Sequence, residues 1–187
     1  ETTDPTENLT YYNEEMERCA VEYATYAYEQ VKKAKVACND PIVLIEQKLD
    51  FSRWVPEGFG TGDCVIVADG TLSVIDFKYG KGVEVLAENN PQMMLYAFGA
   101  LELFDGIYDI SAVNMIIFQP RRDNISEYAI SKEELLRWAN EILTPTAQLA
   151  ANGDGDFKAG KHCRFCKVRA TCRKLAEYNL ALARYDF

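Results

Sequence analysis

Two apolar runs either side of an Asp-Gly step constrain this chain more than any other feature. Residues 65–67 and 72–75 are rich in β-branched side chains and flank Asp69-Gly70, the pattern of a β-hairpin with a two-residue turn. With Asp69 and Gly70 at the centre, Ala68 pairs with Thr71. Counting outward sets Asp63 directly opposite Asp76 on one face, with Cβ atoms roughly 5 Å apart. Lys78, two residues on, points to that face as well, and Cys64 alternates to the other. A longer turn would shift this register.

Like charges placed directly opposite each other destabilise a sheet. A divalent cation resolves the conflict by accepting both carboxylates as hard oxygen ligands. A lysine beside it can stabilise charge on a phosphate or orient a water. The hairpin therefore has the chemistry of a metal-dependent phosphodiesterase site. The alternative is a solvated sheet face on which Lys78 simply balances Asp76.

At 187 residues the chain can bury a substantial core. No apolar run has the length of a membrane span, and no signal peptide opens the sequence, so the expected setting is cytoplasmic. There is no initiating Met, which suggests a chain that starts after its gene does. The formal net charge of −9 alone argues against nucleic acid as a partner. Its distribution changes that reading: residues 158–184 carry +7 and the remainder −16. Lys161, Arg164 and Lys167 are the candidate DNA-backbone contacts in that basic segment; the alternative is a basic helix docked on an acidic body.

Residues 1–10 read as a loop. Residues 13–37 read as a helix capped by Asn13, with Met16, Ala20, Tyr23, Ala24, Ala27 and Val31 inward. Glu15 and Glu22 either face the site or lie on a solvated face. Residues 42–51 read as a strand with Ile42, Leu44, Glu46 and Lys48 on one face and Val43, Ile45, Gln47 and Leu49 on the other. Glu46 is then a candidate third carboxylate. Residues 52–62 read as a glycine-containing loop. Pro91 starts a helix to about Phe104 in which Gln92 and Tyr96, four apart, share a face. Strands follow over 112–119 and 127–130. Ser131 with Glu134 forms a capping box for a helix to about Leu143, which Pro145 ends or kinks. Residues 152–155 form a link, and 172–185 read as helical.

Cys163-x2-Cys166-x5-Cys172 has the compact spacing that closes around a metal or cluster. A fourth ligand would come from Cys19 or Cys38, or lie outside this chain. His162 adjoins Cys163, an awkward geometry for one zinc ion.

Together, Gly62-Asp63, Val74-Ile75-Asp76-Phe77-Lys78-Tyr79-Gly80, Gln92-x3-Tyr96 and the three cysteines resemble PD-(D/E)xK nucleases of the RecB-like branch. The cysteines resemble those of its iron–sulfur members, the AddB-type helicase–nucleases and the exonucleases of CRISPR spacer acquisition. Residues 13–180 as a whole look most like an uncharacterised phage and prophage family of exonucleases in that branch. The resemblance implies an α/β fold: a restriction-endonuclease-like core (a small mixed β-sheet flanked by helices) over 1–157, with a Cys-rich helical segment, 158–187, packed on it. It implies Mg²⁺ or Mn²⁺ on Asp63, Asp76 and the Phe77 carbonyl, Lys78 positioning the attacking water, and Gln92 and Tyr96 steadying the site and contacting DNA. It implies a [4Fe–4S] cluster, or Zn²⁺ in its place, on Cys163, Cys166 and Cys172. The expected activity is exonucleolytic DNA hydrolysis, with DNA and other phage recombination proteins as partners. The branch usually carries a metal-binding His in its first helix, and often its first cluster Cys upstream of that helix. Here the only His is His162, so either the chain begins late or Glu15 or Glu46 substitutes. Two other readings remain: a binding module without cleavage, and a zinc-stapled interaction protein.

Overall fold

The computed structural model describes residues 10–184. Contacts divide the chain into two compact units, Glu1–Ala147 and Gln148–Phe187. The expected loop over 1–10 falls outside the described residues except for Thr10, as does Tyr185 at the end of the expected last helix.

The first unit is an α/β core on a five-stranded mixed sheet in the order β1 (Ile42–Asp50), β2 (Phe59–Ala68), β3 (Gly70–Phe77), β4 (Ile110–Gln119), β5 (Asn124–Ser131). Neighbours run antiparallel except β3 and β4, which are parallel. A parallel pair needs a crossover, and helix α2 (Pro91–Phe104) supplies it. Ala68 pairs with Thr71 across Asp69-Gly70, as the turn signal required. Gly70 has φ +85°, a left-handed value that costs glycine little.

Strand alternation divides the apolar side chains between two faces. Val65, Val67, Leu72, Val74, Met115 and Ile117 pack with Met93 and Phe98 of α2. Cys64, Ile66, Ile75, Ile116 and Phe118 pack on the other face with Tyr23, Tyr26, Ala27 and Val31 of helix α1 (Glu14–Ala37). Burial on both faces explains the unbroken apolar run of β4. Asn13 caps α1 by accepting the Met16 N–H at 2.9 Å. The inward stripe of α1 differs from expectation, because buried Cys19 and half-buried Tyr26 lie inside while Ala20 and Ala24 are exposed. The Ser131–Glu134 capping box opens helix α3 (Lys132–Trp138). The chain does not stop at Pro145: a π turn over Ala139–Leu143 leads into helix α4 (Thr144–Asn152). Pro145 thus lies inside a continuous helical run, and the wider π turn before it accommodates the ring and its missing N–H.

Two expectations about the glycine loop and β1 are corrected. Strand β2 begins at Phe59, so Gly60 and Gly62 are strand residues. The face assignment of β1 holds only as far as Ile45. Glu46 takes φ +52°, and beyond it Leu49 returns to the cluster that Ile42 and Leu44 touch. Strand β2 changes phase at the same row, since a Cβ on Gly62 would meet Leu49 and Val65, which lie on that same face. The register is unshifted, with Ile45 opposite Cys64 and Gln47 opposite Gly62, so Glu46 faces Asp63 at a kink in the sheet.

In the second unit, helix α5 (Arg173–Ala183) follows a 3₁₀ turn over Lys161–Phe165. Among its described residues none is buried. Among all described residues, no helix is long and apolar enough to cross a membrane.

Candidate active site

The hairpin ladder ends at Cys64 opposite Ile75, one pair short of the two aspartates. The kink at the Glu46–Asp63 row accounts for this. With no ladder partner left, the Phe77 N–H is taken by the Asp63 side chain, Oδ2 accepting it at 2.7 Å. Asp63 is thereby tied to the backbone beside Asp76.

Asp76 is 3% exposed. Even-numbered residues of β3 face α2, and that alternation buries it beyond Leu72 and Val74. The Lys78 ammonium stands 2.8 Å from Asp76 Oδ2. The two groups form a buried ion pair, off the ideal hydrogen-bond direction. Burial raises the Asp76 carboxyl above its ordinary pKa; Lys78 opposes the shift and the nearby Asp63 adds to it. On the opposite face of the sheet, burial first and Asp63 second push the Cys64 thiol up to about 11.

Helix α2 completes the site from above. Asn90 accepts the Gln92 N–H at 3.0 Å and fixes the helix start. Gln92 Oε1 then accepts from Lys78 Nζ at 3.2 Å, while Gln92 Nε2 donates to the Tyr96 hydroxyl at 3.0 Å. Asp76, Lys78, Gln92 and Tyr96 form one polar chain. The Tyr96 ring lies directly over Gly60, where an added Cβ would overlap its Cε1. Gly60→Ala should therefore displace Tyr96 and cost about 1–3 kcal/mol of stability, the usual cost of overpacking. Thermal melting of Gly60→Ala beside Gly80→Ala, where a Cβ meets nothing, measures this.

Glu46 is exposed at its kink and belongs to the row of Asp63, outside the hydrogen-bonded chain. The Tyr23 hydroxyl of α1 is buried without a hydrogen-bond partner. Its pKa is raised by burial, then by Cys64, Asp63, Asp76 and Glu46. Sequence reading missed Tyr23 as a neighbour of the site and also missed Gln119, a polar residue at the end of an apolar strand. Of the two α1 acids considered, Glu22 pairs with Arg18 at 2.7 Å, and Glu15 bridges Lys81 and Arg121.

In the second unit, Cys163, Cys166, Cys172 and His162 line one cavity of about 290 Å³. The thiols do not converge: among the described residues, no group of three or more His, Cys, Asp or Glu side chains is arranged to hold an ion. His162 Nε2 hydrogen-bonds the Lys158 carbonyl at 3.0 Å, which removes that nitrogen as a zinc ligand. Cys19 and Cys38, the expected fourth ligands, are buried in the first unit. Lys161, Arg164 and Lys167 are exposed.

A family model described as "Protein of unknown function (DUF2800)" matches residues 1–187. The chain is also similar to a solved structure titled "Crystal structure of SSO0001", at 16% identity and a TM-score of 0.38, over 86% of this chain and 77% of that one.

Proposed function

The chain belongs to the DUF2800 family, and from the chemistry of its site we propose that it is a divalent-cation-dependent deoxyribonuclease acting as an exonuclease. The observation that carries this reading is Asp76: a buried carboxylate beside a second carboxylate, with one braced lysine set against the two. Such an arrangement weakens a fold unless a cation is its intended occupant.

Two carboxylates suit Mg²⁺ or Mn²⁺, which keep most of their shell for waters and substrate phosphates. Asp63 and Asp76 would hold the ion. A strand residue's N–H and C=O point the same way, so the Phe77 carbonyl lies on the Asp63 side and is the further donor. When bound, the cation lowers the pKa of a water and offsets phosphate charge. Gln92 holds the Lys78 ammonium by its side-chain oxygen and is itself held by Tyr96, so Lys78 can orient a water or steady charge on the phosphate without reorganising. Glu46, opposite Asp63 in the sheet, would be the further carboxylate available to the ion.

Linear end-labelled DNA should be degraded with Mg²⁺ or Mn²⁺, spared in a chelator, and spared by Lys78→Ala, while closed circular DNA survives. Absence of cleavage by the wild-type chain in both metals would overturn the reading.

The second unit supports a further element of the same proposal. Among the described residues 148–184 none is buried, so apolar burial cannot hold this segment; Cys163, Cys166 and Cys172 line one cavity there and would have to draw together to take a [4Fe–4S] cluster or Zn²⁺ that staples it. Bound iron or zinc near one equivalent of cluster or ion per chain is expected. After its removal, limited proteolysis should cut first within 148–187. A metal-free chain resistant to proteolysis there would refute the staple.

A further inference from the structure

We propose that Lys81 and Arg121, with the Tyr79 ring, form a site for a backbone phosphate of the bound nucleic-acid strand, and that Glu15 occupies this site in the free protein. The inference rests on the nuclease reading and extends it to substrate binding.

The placement follows from topology. Strands β3 and β4 are parallel, so the segments leaving their C-terminal ends lie side by side, where ligands of α/β sheets gather. Lys78, Tyr79 and Lys81 follow β3, and Arg121 lies in the 3₁₀ turn Pro120–Arg122 after β4. The two cations converge on one carboxylate. Lys81 Nζ is 3.0 Å from Glu15 Oε1, and Arg121 Nη2 is 2.9 Å from Glu15 Oε2. One cation on each of two anionic oxygens is also how a phosphodiester is held.

The cations are pre-positioned. The Arg121 guanidinium lies 4.4 Å from the Tyr79 ring centroid, which sets its plane, and its Nε is buried without a partner. The Lys81 carbonyl accepts from Arg122 at 2.9 Å, and Gln119 holds the carbonyls of Gly80 and Val83 on either side. Two cations against one acid leave a positive spot on a body that is −16 outside residues 158–184. Lys81 is exposed and Glu15 and Arg121 are half-buried; ion pairs at a surface contribute little to stability, so phosphate can displace Glu15 at modest cost. A pure clamp between α1 and the sheet is the competing account, and it predicts the opposite response to loss of the acid.

The test is binding of a fluorescent single-stranded oligonucleotide in chelator, where cleavage is off, across a salt series. Glu15→Gln should tighten binding about 3–10-fold, and Arg121→Ala and Lys81→Ala should each weaken it about 3–10-fold and flatten the salt slope by about one contact. Arg121→Lys, which keeps the charge, should recover part of the loss. Tighter binding by Glu15→Gln cannot arise from misfolding. Weaker or unchanged binding by Glu15→Gln would overturn the site. If that happens while the wild type still cleaves DNA with Mg²⁺, only this inference falls. A wild type that neither binds nor cleaves would remove both.

Discussion

Asp76→Asn is expected to abolish the proposed DNA cleavage and at the same time to make the metal-free protein harder to melt at neutral pH. The two effects share one cause. Asp76 is 3% exposed, with the Lys78 ammonium 2.8 Å from its Oδ2 and Asp63 nearby. Its carboxyl is raised by burial despite Lys78. The folded state therefore holds this proton more tightly than the unfolded chain does. Stability attached to the group is fully present below its unfolded pKa, and is lost as pH rises through the raised folded value. Asparagine is neutral throughout and escapes that loss. Thermal melts across pH 4–8 should show the wild type losing ground to the variant as pH rises. Added Mg²⁺ or Mn²⁺ should raise the wild-type melting point, because it binds only the folded state, and should leave Asp76→Asn unmoved. Activity should fall by about a thousandfold or more, as when one member of an interdependent set is lost. A variant that melts lower than the wild type at neutral pH without metal would show that Asp76 is a structural acid satisfied by Lys78.

Gln119→Leu has the largest expected effect on stability away from the carboxylates. Gln119 is 2% exposed. Its Nε2 donates to Gly80 O at 2.8 Å and Val83 O at 2.9 Å, and its Oε1 accepts from Val85 N at 3.2 Å and Asn124 Nδ2 at 3.3 Å. Leucine matches its bulk and supplies none of these bonds. Each orphaned buried group costs about 1–3 kcal/mol, and part of the loop can turn to water, so a loss on the order of 3 kcal/mol is expected. For a domain of this size that is a fall of roughly 10 °C. Hydrogen exchange should quicken at the Val85 amide, and DNA binding should weaken because the freed loop carries Lys81. Unchanged exchange at Val85 would mean that the loop is held by other contacts.

The hairpin was legible because its signals are local. An Asp-Gly step between β-branched runs fixes a two-residue turn, and a fixed turn fixes the register, so the neighbourhood of Asp63, Asp76 and Lys78 followed by counting. Gln92 and Tyr96 followed as well, since helical spacing puts them on one face and Pro91 sets where the helix begins. The flip at Glu46 was not legible. Alternation assumes an extended backbone, and a positive φ at a non-glycine residue breaks that assumption without leaving a sequence signal. Gly60 and Gly62 read as loop for the same reason: their role is to leave room for Tyr96 and Leu49, which come from elsewhere in the chain.

What the chain determined by itself was everything decided by near neighbours: the turn, the helix caps, the nearness of Asp63 to Asp76 (though not their direct pairing) and the compact cysteine spacing. What only tertiary structure decided were meetings between residues far apart in sequence. Tyr23 reaches the neighbourhood of the carboxylates because α1 packs on the sheet, while Gln119 closing on the loop after β3 and Glu15 bridging Lys81 and Arg121 depend on β3 and β4 running parallel. A parallel pair is joined by a long crossover, so the ends it brings together carry no mark of each other in the sequence.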